Sequence, residues 1–182
     1  MNWQIDPTHS HLSFAIRVMS VSTTRGRFHA LRGHLYIDEQ NPANSWVEAE
    51  VDAASIDTHN KLRDAHLRSA AFFDVKQYPT ITFQSTHVEH VGGQSYKVIG
   101  NLSMLGVTKP ITFDVAYRGQ SMLMGARTGL TAKATINRND FGLGRGAAVQ
   151  LAASSIATIE IDLEAVQQSV EVREAVVIAT AQ

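Results

Sequence analysis

The sequence of 182 residues contains no cysteine, which excludes disulfide bonds, thiol nucleophiles and cysteine-ligated metal sites. It also lacks a run of about 18 apolar residues, the length that a membrane-spanning helix needs. The formal net charge is -1, so the composition gives no electrostatic reason to expect binding to nucleic acid or to an anionic membrane. The first ten residues, MNWQIDPTHS, lack the basic and apolar segments of a signal peptide. We therefore expect a cytoplasmic protein, or a periplasmic one if a leader has been removed.

The dominant pattern in the sequence is an alternation of apolar and polar residues with a period of two. The clearest run consists of Ile111, Phe113, Val115 and Tyr117. Similar runs begin at Leu12, Val47, Tyr96, Leu130 and Ile159. Such alternation is typical of half-buried antiparallel strands, because successive side chains of a strand point to opposite faces. Turn signals rich in glycine, proline and asparagine separate the runs, which predicts one all-β domain built as an antiparallel sandwich or barrel.

One segment breaks the alternation. Residues 57–71, DTHNKLRDAHLRSAA, predict a short helix with Asp57 or Thr58 as its N-cap. The expected apolar stripe of this helix consists of Leu62, Ala65 and Leu67. The next stretch, FFDVKQYPTITF at 72–83, leads into a strand after Pro79, where a missing N–H is tolerated. A helical segment and an aromatic connection are therefore expected beside the sheet.

Two sequence features suggest catalytic or metal chemistry, but each has a simpler structural interpretation. His9 and His11 would lie on one face of an extended strand, which is a weak pattern for a metal site. Hydrogen bonding at the start of a strand is the favoured interpretation. The segment GLGRG at 142–146 lacks the βαβ unit of a dinucleotide site and predicts a loop. No G-x-S-x-G elbow occurs. We therefore predict no metal, no cofactor and no catalytic site.

The basic segment TTRGRF at 23–28 is the strongest candidate for contact with a charged ligand. Arg25 and Arg27 flank a glycine at the start of a predicted strand. Arginine is well suited to bidentate contact with phosphate. The alternative interpretation is ordinary surface charge.

Five segments carry motifs that are weak singly and specific in combination. They are W.ID..HS...F at 3–14, VS...GRF at 21–28, the continuous stretch 51–86, VIGNLSMLGVTKPITFDV at 98–115 and INRNDFGL at 136–143. In this order they resemble the YceI family, a lipocalin-like group of polyisoprenoid-binding proteins. The resemblance runs from Trp3 to about Val166.

This resemblance implies an all-β fold, an antiparallel eight-stranded lipocalin-like barrel with a short helix in a connecting loop. It places the barrel domain at residues 1–166 and leaves residues 167–182 as a C-terminal extension of the same domain. That extension is interpreted as a last strand, a docking helix or a partner-binding segment. The resemblance further implies a homodimer that binds lipid and is not an enzyme.

A barrel of this kind would line its cavity with the apolar half of each alternation. The predicted lining residues are Phe14, Ile16, Val18, Phe28, Val51, Phe83, Val98, Leu102, Phe113 and Val115. Phe72, Phe73 and Tyr78 are expected to cover the mouth or plug one end, and Arg25 or Arg27 to contact a pyrophosphate. Many family members carry histidine where Val18 stands, so this chain has a more apolar lining if that face points inward.

The predicted function is binding of a long-chain isoprenoid or related lipid inside the barrel, as carrier, store or scavenger. Nucleic acid binding and stable membrane insertion are not expected. Two alternatives stay open. One is a ligand-free protein-interaction module, for which the C-terminal extension is the best support, and the other is a small-molecule enzyme with an unrecognised site.

Overall fold

The structure, a computed structural model, describes residues 1–168, which form eleven strands and two α-helices. The strands are β1 Asn2–Ile5, β2 His11–Val18, β3 Ser22–Phe28, β4 Leu31–Tyr36, β5 Trp46–Asp52, β6 Ile56–Asp57, β7 Thr80–Gly92, β8 Ser95–Met104, β9 Val107–Ser121, β10 Arg127–Asn137 and β11 Ala153–Gln167. The helices are α1 Lys61–Arg68 and α2 Ala147–Ala152. Except for Gln167 and Gln168, the predicted extension 167–182 lies outside the described residues.

Eight of the strands close into a barrel. Their spatial order is β1, β4, β5, β7, β8, β9, β10 and β11, and β1 pairs back onto β11. Every pairing is antiparallel. This confirms the predicted all-β, antiparallel eight-stranded barrel. The long strands close the ring because each presents apolar residues to the interior at every second position.

The other three strands extend the barrel wall at one end. Strand β11 is 15 residues long and pairs with β1 near its C-terminus but with β2 over most of its length. Strand β2 pairs with β3, and β3 pairs with the two-residue strand β6. Helix α1 packs beside β6. The wall near the start of β11 is therefore completed by a branch of three strands and a helix.

The two ends of the barrel differ in what borders them. The helical end is bordered by α1, by α2 and by the β2–β3 turn at residues 19–21. The hairpin end is bordered by the loop 37–45 and by the β9–β10 turn at 122–126. Among residues 1–168, neither helix is long and apolar enough to cross a bilayer.

Helix α1 is shorter than the predicted 57–71 and has a different cap. The Asn60 side chain accepts a hydrogen bond from the Arg63 backbone N–H at 3.0 Å. Asp57 and Thr58 are not available as caps, because the Asp57 carboxylate holds the preceding turn and the Thr58 hydroxyl donates to Asp64 at 2.5 Å. The N-cap therefore lies two or three residues later than the sequence suggested.

The apolar stripe predicted for α1 is also wrong in two of its three members. Leu62 is 83% exposed, and Ala65 is exposed as well, whereas Leu67 packs against the core. The buried residue in place of Leu62 is Asp64, whose carboxylate accepts from the backbone N–H and the hydroxyl of Thr58. A buried carboxylate with two donors satisfies the rule that buried polar groups are hydrogen-bonded.

One other local prediction holds. Residues 142–146 form a loop between a 3₁₀ turn and α2, in a sheet without parallel strand pairs among the residues described. Glu160 and Asp162 lie on the outer face of β11. Glu160 pairs with Lys133 of the adjacent β10 at 3.1 Å, and Asp162 pairs with Arg118 of β9 at 2.5 Å.

Candidate ligand-binding cavity

The barrel encloses a cavity of about 620 Å³ whose wall is almost entirely apolar. Its lining begins with Val18 and Thr24 at the helical end and reaches Glu39 and Tyr117 at the hairpin end. The cavity therefore follows the length of the barrel. Its volume falls within the range of about 300–1,000 Å³ that is typical of small-molecule sites.

Most of the residues predicted to line a cavity stand along this wall. They are Phe14, Ile16, Val18, Phe28, Val51, Phe72, Phe73, Phe83, Val98, Leu102, Phe113 and Val115. Strand alternation explains the agreement for all of them except Phe72 and Phe73, because fixing one inward residue of a strand fixes every second residue after it. The apolar Val18 does face the cavity.

Three predicted site residues lie elsewhere. Arg25 and Arg27 are exposed on the outer face of β3, because their neighbour Phe28 is buried and faces inward. The Tyr78 ring lies over Gly106 in the β8–β9 turn. None of these three side chains belongs to the cavity lining, so contact between the two arginines and a ligand inside the barrel is not supported by their position.

Two glycines allow aromatic rings to lie against the wall. A methyl group at Gly26 would lie 2.4 Å from Phe14 Cζ, and one at Gly100 would lie 2.5 Å from Phe83 Cζ. Each ring therefore lies directly against a glycine. A larger residue at the glycine position would push the ring into the cavity. A glycine within an otherwise regular strand was the sequence signal, but its pairing with a particular ring depends on the register between strands.

A chain of aromatic contacts closes the wall where α1 leads into β7. Phe28 packs against Phe14 and Phe73, with ring centroids 5.8 and 5.7 Å apart. Phe72 packs edge-on against His66 of α1, with 4.9 Å between the ring centroids. These geometries are the favourable tilted and edge-to-face arrangements. The two adjacent phenylalanines thus fix the connection from α1 to the barrel, as part of the cavity wall.

A buried arginine, which the sequence did not reveal, holds the cover of the cavity at the helical end. The Arg138 side chain is 3% exposed and lines the cavity. Its guanidinium donates to the carbonyls of Ser154 at 2.8 Å, Ala153 at 3.0 Å, Leu143 at 3.0 Å and Gly144 at 3.1 Å. Burial lowers the pKa of Arg138. These contacts tie the segment containing α2 to the start of β11.

The helical end of the cavity contains arginine side chains. No carboxylate within residues 1–168 forms an ion pair with Arg138. Arg63 of α1 also reaches the lining at this end. Carbonyl oxygens supply partial negative charge to Arg138 but no full counter-charge, so the field of the guanidinium extends into the apolar interior.

The hairpin end has the opposite character. The Glu39 carboxylate accepts hydrogen bonds from the Tyr117 hydroxyl at 2.9 Å and from the Gln120 side chain at 3.1 Å. Burial is the main cause that raises the pKa of Tyr117. Asp38, in the same loop as Glu39, accepts from two backbone N–H groups, including that of Asn41 at 2.9 Å. Tyrosine and acidic side chains therefore border the cavity at this end.

Among residues 1–168, one group of side chains has the spacing of a metal site, but it lies outside the cavity lining and is already paired with an arginine. Asp6, His9 and Glu164 bring three ligand atoms within 4.8 Å of one another. However, the Arg127 guanidinium pairs with both carboxylates of this cluster. His9 Nδ1 lies 2.8 Å from the Asp6 carboxylate, a hydrogen bond that is the largest of the effects lowering the pKa of Asp6, while His11 is exposed. The histidine motif thus contributes to hydrogen bonding before β2.

Comparison with known proteins agrees with this architecture. The YceI-like domain matches residues 3–166. A UPF0312 protein of Pseudomonas aeruginosa is 38% identical over 137 residues, which cover 74% of this chain and 71% of the relative.

Two solved structures show the same fold. The crystal structure of Burkholderia cenocepacia BcnA superposes with a TM-score of 0.81 at 24% identity, covering 88% of this chain and 98% of that one. A polyisoprenoid-binding domain from Saccharophagus degradans, implicated in plant cell wall breakdown, superposes with a TM-score of 0.71 at 18% identity, covering 91% and 98%. With a matching domain over nearly its whole described length and a relative of this similarity, the chain belongs to the YceI-like family.

Proposed function

We propose that the protein binds a long-chain isoprenoid or a related lipid inside the barrel, as its carrier, store or scavenger. The observation that carries this proposal is the apolar cavity of about 620 Å³, which the side chains of the barrel leave unfilled. The similarity in fold to a polyisoprenoid-binding domain supports it. A cytoplasmic location and a homodimer remain predictions.

Burial of the chain of the ligand supplies the affinity. Each buried methylene contributes roughly 0.8 kcal/mol, so a five-carbon isoprene unit contributes about 4 kcal/mol before losses. Eight units would give about 30 kcal/mol, which exceeds the ceiling of about 18–21 kcal/mol for non-covalent affinity. Ordering of a flexible chain must offset much of this gain. We therefore expect affinity to rise with the number of units and then to level off.

The charges at the helical end favour one class of head group. Arg138 and Arg63 stand at this end of the lining, and Arg138 has no carboxylate partner among the described residues. A neutral polar or anionic head group would gain from this field, whereas a cationic one would be repelled. The head group of the proposed ligand therefore belongs at the helical end, with the isoprenoid chain extending toward the hairpin end.

A thermal-shift series tests the proposal. Delipidated full-length protein is mixed with polyprenyl phosphates of increasing length. A ligand of the native state at about 100 times its Kd adds about 2.7 kcal/mol, which raises the Tm of a domain of this size by roughly 5–10 °C. Phe113→Arg, which places a charge in the apolar wall, is expected to abolish this shift.

The matched control is Thr112→Arg, because Thr112 is exposed on the opposite face of the same strand. It should keep the full shift. If Phe113→Arg does not fold, Ala132→Phe provides an apolar substitution that narrows the same part of the cavity. Retention of the ligand shift in both folded cavity variants would disprove binding inside the barrel.

Mass spectrometry of an organic extract distinguishes the remaining alternatives. A carrier purified from a host that makes isoprenoids should release a long-chain lipid in an amount comparable to the protein. Absence of a lipid together with absence of a thermal shift for every chain length would favour a ligand-free interaction module. Conversion of an added isoprenoid to a new mass would indicate an enzyme.

A further inference from the structure

The elements that border the helical end present apolar side chains to solvent. Val21 of the β2–β3 turn is 86% exposed, Leu62 of α1 is 83% exposed and Leu151 of α2 is 89% exposed. Met19, beside Val21, is 70% exposed, and its backbone N–H donates to the carbonyl of Ala152 at 2.6 Å. The turn and α2 are therefore in contact, and their exposed side chains form an apolar rim, defined here as Met19, Val21 and Leu151.

This rim is continuous with the cavity. Val18, next to Met19, lines the cavity, as do Ala148 and Ala152 of α2. Helix α2 has the sequence AAVQLA, and its one polar side chain, Gln150, donates to the Gly144 carbonyl at 2.9 Å. An exposed helix with so little polar surface is unusual for a side that faces only water. One apolar surface thus passes from the interior of the barrel to its outer edge.

The same three elements concentrate positive charge. Residues 17–28, 61–68 and 142–156 contain seven Lys and Arg residues, which are Arg17, Arg25, Arg27, Lys61, Arg63, Arg68 and Arg145. Within these segments the one acidic residue, Asp64, is buried against Thr58. When the flanking carboxylates Asp57 and Asp140 are included, Lys and Arg still outnumber acidic residues at this end by seven to three. The formal charge of the whole chain is only -1, so this excess is local. Net charge alone had given no reason to expect attraction to an anionic membrane, and the fold supplies one.

We propose that the helical end docks on the surface of an anionic phospholipid bilayer. An apolar rim that enters the headgroup boundary, together with surrounding basic side chains, provides the two signals needed for stable peripheral binding. The helical end of the cavity then faces the membrane, and a long apolar ligand passes there between bilayer and barrel without crossing water. This transfer step rests on the function proposed above, whereas docking itself does not.

Vesicle binding tests the docking surface with the full-length protein. Delipidated protein is co-sedimented with vesicles of phosphatidylcholine, or of phosphatidylcholine containing about one-third phosphatidylglycerol. Binding is expected on the anionic vesicles and should weaken in high salt, because screening shortens the range of the attraction. Binding to neutral vesicles should be at least about tenfold weaker.

Matched variants locate the contact. Val21→Gln combined with Leu151→Gln is expected to lower the partition coefficient on anionic vesicles about tenfold or more, since two apolar side chains no longer enter the membrane. Arg25→Glu should lower it about fivefold on anionic vesicles alone. The control is Leu123→Gln at the hairpin end, where Leu123 is 82% exposed in the β9–β10 turn. This control should bind like the wild type.

The inference is overturned if the wild type does not bind anionic vesicles, if the double variant binds them normally, or if Leu123→Gln is the variant that loses binding. The thermal-shift assay with polyprenyl phosphate, run on the same samples, separates the two proposals. A ligand shift without vesicle binding removes membrane docking and leaves the ligand-binding proposal standing. Vesicle binding without a ligand shift supports docking and contradicts the isoprenoid ligand.

Discussion

The two ends of the barrel satisfy their charged groups in different ways. At the hairpin end, Glu39 is held by the Tyr117 hydroxyl and the Gln120 side chain at the surface. At the helical end, the Arg138 guanidinium is buried and is held by backbone carbonyls such as that of Ser154. One end depends on contacts between side chains near the surface and the other on a buried charge that binds the main chain.

This difference separates charge at the surface from charge that organises the fold. Surface contacts between side chains are screened by water and contribute little to stability. A buried guanidinium that serves several carbonyls fixes the path of the chain, and its loss leaves those carbonyls without donors. We therefore expect equal substitutions at arginines in these two settings to have unequal effects.

The largest effect is expected for Arg138→Met. This change keeps much of the side-chain length but removes the donors to Ser154, Ala153, Leu143 and Gly144. Because buried acceptors are left unsatisfied, the free energy of unfolding should fall by about 3 kcal/mol or more. For a domain of this size such a loss lowers the Tm by roughly 6–12 °C, which calorimetry measures.

Arg118→Met is the matched control. Arg118 pairs with Asp162 on the outer wall, and both side chains are about half exposed. Its loss should change the free energy of unfolding by less than about 1 kcal/mol. Similar losses for the two arginine variants would contradict the distinction between surface charge and structural charge.

A smaller difference is expected between two glycines of the cavity wall. A methyl group at Gly100 would lie 2.4 Å from the Gln84 carbonyl oxygen as well as close to Phe83, whereas one at Gly26 would meet only side chains, those of Phe14 and Thr58. A backbone carbonyl in a sheet moves less readily than a ring beside an open cavity. Gly100→Ala should therefore lower the free energy of unfolding by about 1–3 kcal/mol, and Gly26→Ala should lower it by about 1 kcal/mol or less.

Unfolding in denaturant measures the free energy of unfolding of both variants and so tests which loss is larger. Gly146→Ala serves as the control, because a methyl group there would have no neighbouring atom within 4 Å. A loss at Gly26 that equals or exceeds the loss at Gly100 would show that the Phe14 ring cannot yield into the cavity. The prediction also extends to binding, since both displaced rings would narrow the space for a ligand.

Local periodicity predicted an antiparallel sandwich or barrel, and the family resemblance specified the barrel. Periodicity then predicted most of the lining, because the alternation in a strand such as β9 records which face is buried. The same reasoning failed for α1. A helix of eight residues has too few turns for its apolar positions to define a face. The residue that is buried in this helix is Asp64, whereas Leu62 is exposed.

Features that depend on distant parts of the chain were not visible in the sequence. In the sequence, Arg138 is a single basic residue that follows a predicted strand. Its hydrogen-bond partners lie up to 16 positions further along the chain, and the sequence does not predict the path of that segment. The charge of the helical end is spread over three separate segments, so the net charge of the chain hides it. Such features arise from the topology that brings the segments together, and local patterns contain no record of them.

The smallest effect is expected from a carboxylate at the helical end. A hydrogen bond from His29 and one from the His59 backbone lower the pKa of Asp57 to about 2. Because this pKa lies below the unfolded value of about 3.9, the ionised carboxylate stabilises the fold above about pH 4, and that stabilisation is lost as the pH falls toward 2. Asp57→Asn should therefore have a lower Tm than the wild type at pH 6, with the gap closing in acid. A gap that stays constant from pH 6 to pH 2 would contradict this origin.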